Sequence, residues 1–240
     1  MTSPLAGRSA VVTGASRGIG AATARALAAA GARVALIARS ASELQALAAE
    51  IGGGAGGIPA DLADESALDG AVAEAARLLG DSPDILVNNA GIFRAAPAGK
   101  MPVAVFEQVV ELNLLVPFRV MRAFLPGMLA RRSGHIVNLG SVADRQAFPE
   151  NSAYSASKFG LRGMHEVLRA ELRGSGVRAT LVSPGAVDTA LWDVVEAESP
   201  PGRFTARRDM LRPEAVAAAV LYAVTQPADV NVEELRLRRS

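Results

Sequence analysis

The sequence predicts an α/β fold: a doubly wound parallel sheet of about seven strands with helices on both faces. Two observations carry this. Short β-branched runs alternate with longer Ala/Leu-rich segments along the whole chain, the pattern of repeated strand–helix units. The strand runs are continuously apolar, as strands buried on both faces must be. No linker or shift of composition divides the 240 residues, so a single domain over 1–240 is expected.

The elements follow in order. "SAVVT" (9–13) is the first strand. A helix runs from Gly18 to Ala30, and Gly31 suits its C-terminal cap. "RVALIA" (33–38) is the second strand, and Ser40 and Glu43 have capping-box spacing for the next helix. "IGGGAGG" (51–57) reads as a flexible low-complexity loop. Asp64 can cap a helix that runs to about Leu79. "DILVNNAG" (84–91) is a strand ending in a polar turn, and helical segments cover 102–131. "GHIVNLGS" (134–141) is a strand, followed by a long helix over 151–173. "VRATLVSPG" (177–185) is a further strand, and a polar, irregular segment spans 188–211. Pro213 suits a helix start, and "NVEELRL" (231–237) is the last strand.

Composition narrows the function. Hydrophobic residues make up 50% and aromatics only 4%, so the core must be Ala, Val and Leu. There is no cysteine, which excludes a thiol nucleophile and a Cys zinc site. Lys plus Arg number 25 against 24 Asp plus Glu; this balance gives no reason to expect nucleic acid or an anionic membrane as partner. "MTSPLAGRSAVV" lacks a basic segment followed by an apolar core, and no run of about 18 apolar residues occurs. A cytoplasmic protein is expected.

Two stretches carry chemistry. "TGASRGIG" (13–20) joins the first strand to the first helix, with Gly14, Gly18 and Gly20 spaced G-x-x-x-G-x-G. Glycines there let backbone approach a pyrophosphate, and the helix N-terminus offers free N–H groups. "YSASK" places Tyr154 and Lys158 four apart, one helical turn up the same face. An ammonium beside a phenol favours the phenolate and should lower its pKa.

Together these stretches resemble the short-chain dehydrogenase/reductase family, which has a Rossmann-type sheet. "TGASRGIG" resembles its cofactor loop, "NNAG" (88–91) its second hallmark and "YSASK" its catalytic motif. Ser141 stands thirteen residues before Tyr154, Asn113 lies in "ELNLLVPF", and "PGAVDT" (184–189) is similar to the family's nicotinamide-end motif. The match is co-linear from the first strand to the last.

The resemblance implies an oxidoreductase that interconverts alcohols and carbonyls with a nicotinamide cofactor. It implies Tyr154 as acid or base, Lys158 as tuner of the phenol and holder of the ribose, and Ser141 as donor to the carbonyl oxygen. Asn113 would act at second hand, through backbone and water. The implied cofactor residues are Gly14, Ser16, Arg17, Gly18, Ile19, Gly20, Arg39, Ser40, Asp61, Leu62, Asn88, Ala90, Gly91, Tyr154, Lys158, Pro184, Gly185, Val187 and Thr189. Asp61 can also simply cap or stop a strand. The implied substrate pocket combines Phe93, Ser141, Gln146, Phe148, Tyr154 and Trp192, with 188–211 as a lid.

The cofactor expected is NADP(H). An NAD-selective site carries an Asp or Glu at the end of the second strand; here Ala38 takes that slot, and Arg39 and Ser40 follow. Arg39 can meet a 2′-phosphate with charge-assisted hydrogen bonds, and Arg17 can close from the other side.

The substrate expected is a small alcohol or carbonyl compound, as for an aldehyde or ketone reductase or an alcohol or hydroxy-acid dehydrogenase; the C-terminal "DVNVEELRLRRS" resembles the family's small carbonyl and 3-hydroxy-acid dehydrogenases. One alternative is a 3-oxoacyl-thioester reductase, with Arg131, Arg132 and Arg173 meeting an acidic carrier protein. Another is a nucleotide-sensing protein without catalysis, although neither Tyr154 nor Lys158 is replaced. His135 and His165 fit no metal motif and read as structural. "RLRRS" at the end reads as a solvated tail. A homo-oligomer is expected, a tetramer first and a dimer second. Leu161, Met164, Val167 and Leu168 recur at helical spacing on a long helix that packs against its copies in the family.

Overall fold

The structure is a computed structural model and describes residues 3–197 and 204–240. Seven parallel strands form one sheet: β1 Ser9–Thr13, β2 Arg33–Ala38, β3 Gly56–Pro59, β4 Ile85–Asn88, β5 Gly134–Leu139, β6 Val177–Pro184 and β7 Glu234–Leu237. Their spatial order is β3-β2-β1-β4-β5-β6-β7. The chain therefore winds outward from β1 in one direction, returns, and winds outward from β4 in the other. The reversal opens a crevice beyond the carboxyl ends of β1 and β4, where ligands of such sheets bind.

The helices cover both faces. α1 (Gly18–Ala29), α2 (Ala41–Ile51) and α8 (Pro213–Val224) lie on one. There Leu27, Leu44 and Val220 pack on Val12, Val34 and Leu36. α3 (Glu65–Leu79), α5 (Val116–Ala130) and α6 (Ser152–Glu171) cover the other, where Ala75, Phe124 and Leu168 pack on Val11, Ile37 and Ile136. Adjacent residues of one strand serve opposite cores, because successive side chains point to opposite faces. α4 (Val103–Val110) and α7 (Asp193–Ala197) complete the set. Among the described residues no helix is long and apolar enough to cross a membrane.

Asp64 caps α3 as expected, its carboxylate accepting from Ala67 N at 2.8 Å. Gly31 follows the end of α1 with φ +100°, which suits glycine. Two expectations need correction. The 51–57 stretch is not all loop, since Gly56 and Gly57 begin β3. Helices press on this strand so closely that a Cβ on Gly57 would stand 2.8 Å from Leu44 Cβ, and one on Gly56 2.5 Å from Leu78 Cδ2. Glycine here marks close approach rather than freedom. The Ser40–Glu43 capping box does not form: Ser40 is the N-cap without a side-chain cap bond, and its hydroxyl is left at the crevice. Helical segments do cover 102–131, with a π-helical turn over Glu111–Leu115 joining the two α-helices.

Segment 188–211 is also more regular than expected in its described parts. It contains α7 and a 3-10 turn at Arg207–Asp209. Its ends are tied together: Asp188 N donates to Leu211 O at 2.8 Å, and Leu211 N to Ala186 O at 2.9 Å. Residues 198–203 of this predicted lid lie outside the described residues.

Candidate active site

A continuous cavity of about 1090 Å³ occupies the crevice. One end is built from the loop after β1. Gly14, Ser16, Arg17, Gly18 and Ile19 line it. Arg17 is the N-cap of α1 without a side-chain cap bond, so the first amides of that helix remain open to an anion. Gly20 is not on the wall; a Cβ there would stand 2.2 Å from Gly14 O. It lets the loop fold on itself. Arg39, Ser40, Asp61 and Leu62 form the far corner, with Glu43 beside them. Neither Arg17 nor Arg39 has a carboxylate partner among the described residues. Asp61 also accepts from Ala63 N at 3.1 Å, so it shapes its own turn.

The strand-end turn after β4 forms the middle. Ala90 and Gly91 line the cavity, whereas Asn88 does not. Asn88 is the last residue of β4 and points into the core, its Nδ2 2.9 Å from Asn138 Oδ1. This corrects its expected place at the cofactor. The neighbour Asn89 lines the wall instead and donates to Thr13 O and Gly14 O at 2.9 and 3.1 Å. Thr13 Oγ1 in turn accepts from Asn89 N and Ala90 N at 3.0 and 3.1 Å. These bonds stitch β1 to β4 across the switch point. In the sequence Thr13 and Asn89 are ordinary polar residues at two strand ends, and only the parallel pairing makes them partners.

The other end holds the catalytic candidates. Ser141 follows β5 and is the N-cap of a 3-10 turn, its Oγ accepting from Ala143 N at 3.1 Å. Tyr154 and Lys158 project from the first turns of α6. The Ser141 hydroxyl sits beside the Tyr154 phenol and favours its ionised form. Lys158 Nζ donates to Leu139 O at 2.7 Å and lies 5.7 Å from the centroid of the Tyr154 ring. Asn113 sits on the π-helical turn. Its Oδ1 accepts from Ile92 N at 2.8 Å, and its Nδ2 donates to Ile92 O at 2.9 Å and to Ser157 Oγ at 3.1 Å. It grips backbone beside the 88–91 turn and the residue before Lys158. The extra residue of a π turn swings this side chain inward, a displacement that a regular helical period does not reveal.

The electrostatics depart from expectation. Burial pushes the Tyr154 phenol up, the Ser141 hydroxyl opposes this, and the Asp144 carboxylate pushes it up further. Burial brings Lys158 itself down to about 8, with Asp144 opposing. The sequence reading missed Asp144. Fully buried, it pairs with Arg145 at 2.8 Å and accepts from the Ser183 hydroxyl and from Ser141 N. It anchors the serine turn to β6. Its one signal in the sequence is a carboxylate three residues after Ser141, at capping-box spacing.

Pro184, Gly185, Val187 and Thr189 line the wall above β6, and Phe93, Gln146, Phe148 and Trp192 surround the catalytic end. Phe93 is the hub: its ring centroid lies 4.9 Å from Tyr154, 5.2 Å from Trp192 and 6.3 Å from Phe204. Phe204, not anticipated, completes an aromatic wall.

A family model described as short chain dehydrogenase matches residues 8–199. The chain belongs to the short-chain dehydrogenase family. It is an oxidoreductase. D-threitol dehydrogenase of Mycolicibacterium smegmatis is 38% identical over 93% of this chain and 88% of its own. Two solved structures are also similar. A metagenomic short-chain oxidoreductase in complex with NADP is 36% identical, with a TM-score of 0.84 over 99% of both chains. The closed form of a serine dehydrogenase complexed with NADP+ is 33% identical, with a TM-score of 0.86 over 95% of this chain and 94% of that one.

Arg131, Arg132 and Arg173 stand apart from the site. They precede β5 and β6, at the end of the sheet opposite the cavity. Arg131 is spent on the carbonyls of Ser82, Pro83 and Ser133. His135 and His165 are buried in hydrogen bonds to Thr180 and Asn138.

Proposed function

We propose that this short-chain dehydrogenase transfers hydride between NADP(H) and a small alcohol or carbonyl substrate. The observation that carries the reading is the single cavity. At one end it joins Ser141, Tyr154 and Lys158; at the other it joins the open N-terminus of α1 and two arginines without carboxylate partners among the described residues. The donor set fits the cofactor. Amides of the 13–20 loop suit a pyrophosphate, and Arg39, Ser40 and Arg17 suit a 2′-phosphate. The NADP complexes of similar structures support the same choice.

When bound, the nicotinamide supplies or accepts the hydride. The chain does the rest. Tyr154, protonated across the neutral range, gives its proton to the carbonyl oxygen during reduction. Ser141 donates to the same oxygen as charge develops there. Lys158 holds the ribose, and Asn113 fixes the turn and the helix on which these groups stand. Phe93, Phe148 and Trp192 give the substrate an apolar wall.

A cytoplasmic, homo-oligomeric protein is part of this reading. On the outer helices Val103, Phe118, Phe159 and Val167 are exposed, Val103 to 73% and Val167 to 58%. Exposed apolar side chains on several outer helices support a tetramer, or failing that a dimer. Leu161 and Leu168 are buried in the chain's own core instead. The thioester reading is weaker, because the arginines suggested for a carrier protein lie at the far end of the sheet.

NADPH consumption with a panel of aldehydes and ketones tests the proposal. Turnover is expected, and Tyr154→Phe should abolish it while cofactor binding persists. A Tyr154→Phe variant with an unchanged rate would overturn the acid assignment.

A further inference from the structure

The terminal "RLRRS" has a place in the fold that its composition does not suggest. β7 ends at Leu237, whose carbonyl accepts from Gly185 N at 2.8 Å. Arg238 thus leaves the sheet level with the turn after β6, and Arg238 and Arg239 both line the cavity. Arg238 Nη2 donates to Gln146 Oε1 at 3.2 Å, on the segment that carries Ser141. Arg239 Nη1 donates to Arg208 O at 2.5 Å and Met210 O at 3.0 Å.

Both guanidinium groups are thus held by neutral oxygens, and neither has a carboxylate partner among the described residues. Neutral acceptors satisfy some N–H groups and leave the charge uncompensated. The other charges nearby are largely matched. Arg145 is paired with Asp144 and Glu234. Asp209, on the same wall, has Arg208 at 3.6 Å, and Glu150 has interactions of its own. Two exposed cations without a carboxylate partner among the described residues therefore stand on the cavity wall, Arg238 beside Gln146 at its catalytic end.

We infer that the substrate carries a carboxylate, held by Arg238 and Arg239 while its reacting carbon stands at Ser141 and Tyr154. The substrate class is then a hydroxy acid and its oxo acid. This rests on the oxidoreductase reading and narrows it. A phosphate on a thioester carrier would offer similar anion chemistry. The small acid is favoured because Arg238 touches the very segment that bears Ser141.

The test compares kcat/KM with NADPH for matched pairs of equal chain length, such as 4-oxobutanoate against butanal, with an acetoacetyl thioester as third arm. The acid should be preferred. The double variant Arg238→Gln, Arg239→Gln should lower the acid-to-neutral ratio about 10- to 100-fold, and Arg239→Lys should retain part of it. A ratio that does not change, or an arginine dependence confined to the thioester, overturns the inference. A second readout needs no turnover. Butanoate should raise the melting temperature of the unmodified protein more than butanamide does, and equal shifts count against a carboxylate site. If no carbonyl compound is reduced, the oxidoreductase reading fails, and the thermal shift still decides the carboxylate site. Should the double variant not fold, the two comparisons on the unmodified protein decide.

Discussion

The Lys158 ammonium donates to the Leu139 carbonyl at 2.7 Å, inside a pocket that holds the lysine near a pKa of 8. Its charge is therefore present at neutral pH and lost as pH rises through about 8. The phenol beside it is pushed up and stays protonated over the same range. Carbonyl reduction should hold its rate below neutrality and fall as pH passes about 8. A pH profile of kcat/KM with NADPH checks this; a rate still rising above pH 9 would contradict it.

Cofactor choice should rest on Arg39. A charge-assisted hydrogen bond contributes about 1.5–3 kcal/mol, roughly one to two decades in affinity. Arg39→Ala should weaken NADPH by that factor and NADH much less. Titration of both cofactors by fluorescence measures the difference. Equal kcat/KM for NADH and NADPH in the unmodified protein would remove the basis for the assignment.

Arg207 gathers the described parts of the 188–211 segment beside the cavity. Its guanidinium meets Asp188 at 3.1 Å, Asp193 at 2.6 Å and Glu196 at 3.0 Å, and it donates to Thr189 O. Arg207→Ala leaves three carboxylates to repel one another. Because all four side chains are partly exposed, global stability should change little. Local order should suffer: proteolysis within 188–211 should quicken and KM for the carbonyl substrate should rise about tenfold. Unchanged cleavage would show that the tied ends at Asp188 and Leu211 suffice.

Acid should unfold the protein through its two histidines. Burial holds His135 at about 3 and His165 at about 4, against an ordinary value of about 6.5. Both are neutral when folded, while the unfolded chain binds protons below about pH 6.5. Their contribution is complete above that value and declines as pH falls toward the folded values. By pH 4 the loss is on the order of 3 kcal/mol per histidine. Urea midpoints measured from pH 7 to 4 should fall steadily, and His135→Gln should flatten the curve. A flat curve in the unmodified protein would be inconsistent with neutral buried histidines.

Much of this protein is determined by local pattern. Apolar runs and their spacing specify the sheet, because a strand buried on both faces has no other composition open to it. Asp64, Gly31 and Pro213 act within one turn of their own position, so their roles are legible without the fold. The same holds for Tyr154 and Lys158, which helical geometry alone brings to one face.

What only the tertiary structure decides involves partners distant in the chain. Gly56 and Gly57 read as loop because the helices that press on them come from elsewhere. Asn88 and Asn89 differ by one residue, and strand direction sends one into the core and the other to the cavity. Asp144 becomes a buried anchor only when β6 brings Ser183 beside it. Arg238 and Arg239 read as solvated until β7 pairs with β6 and carries them to the cavity wall. In each case the deciding contact joins residues well separated in the chain, and no local propensity encodes it.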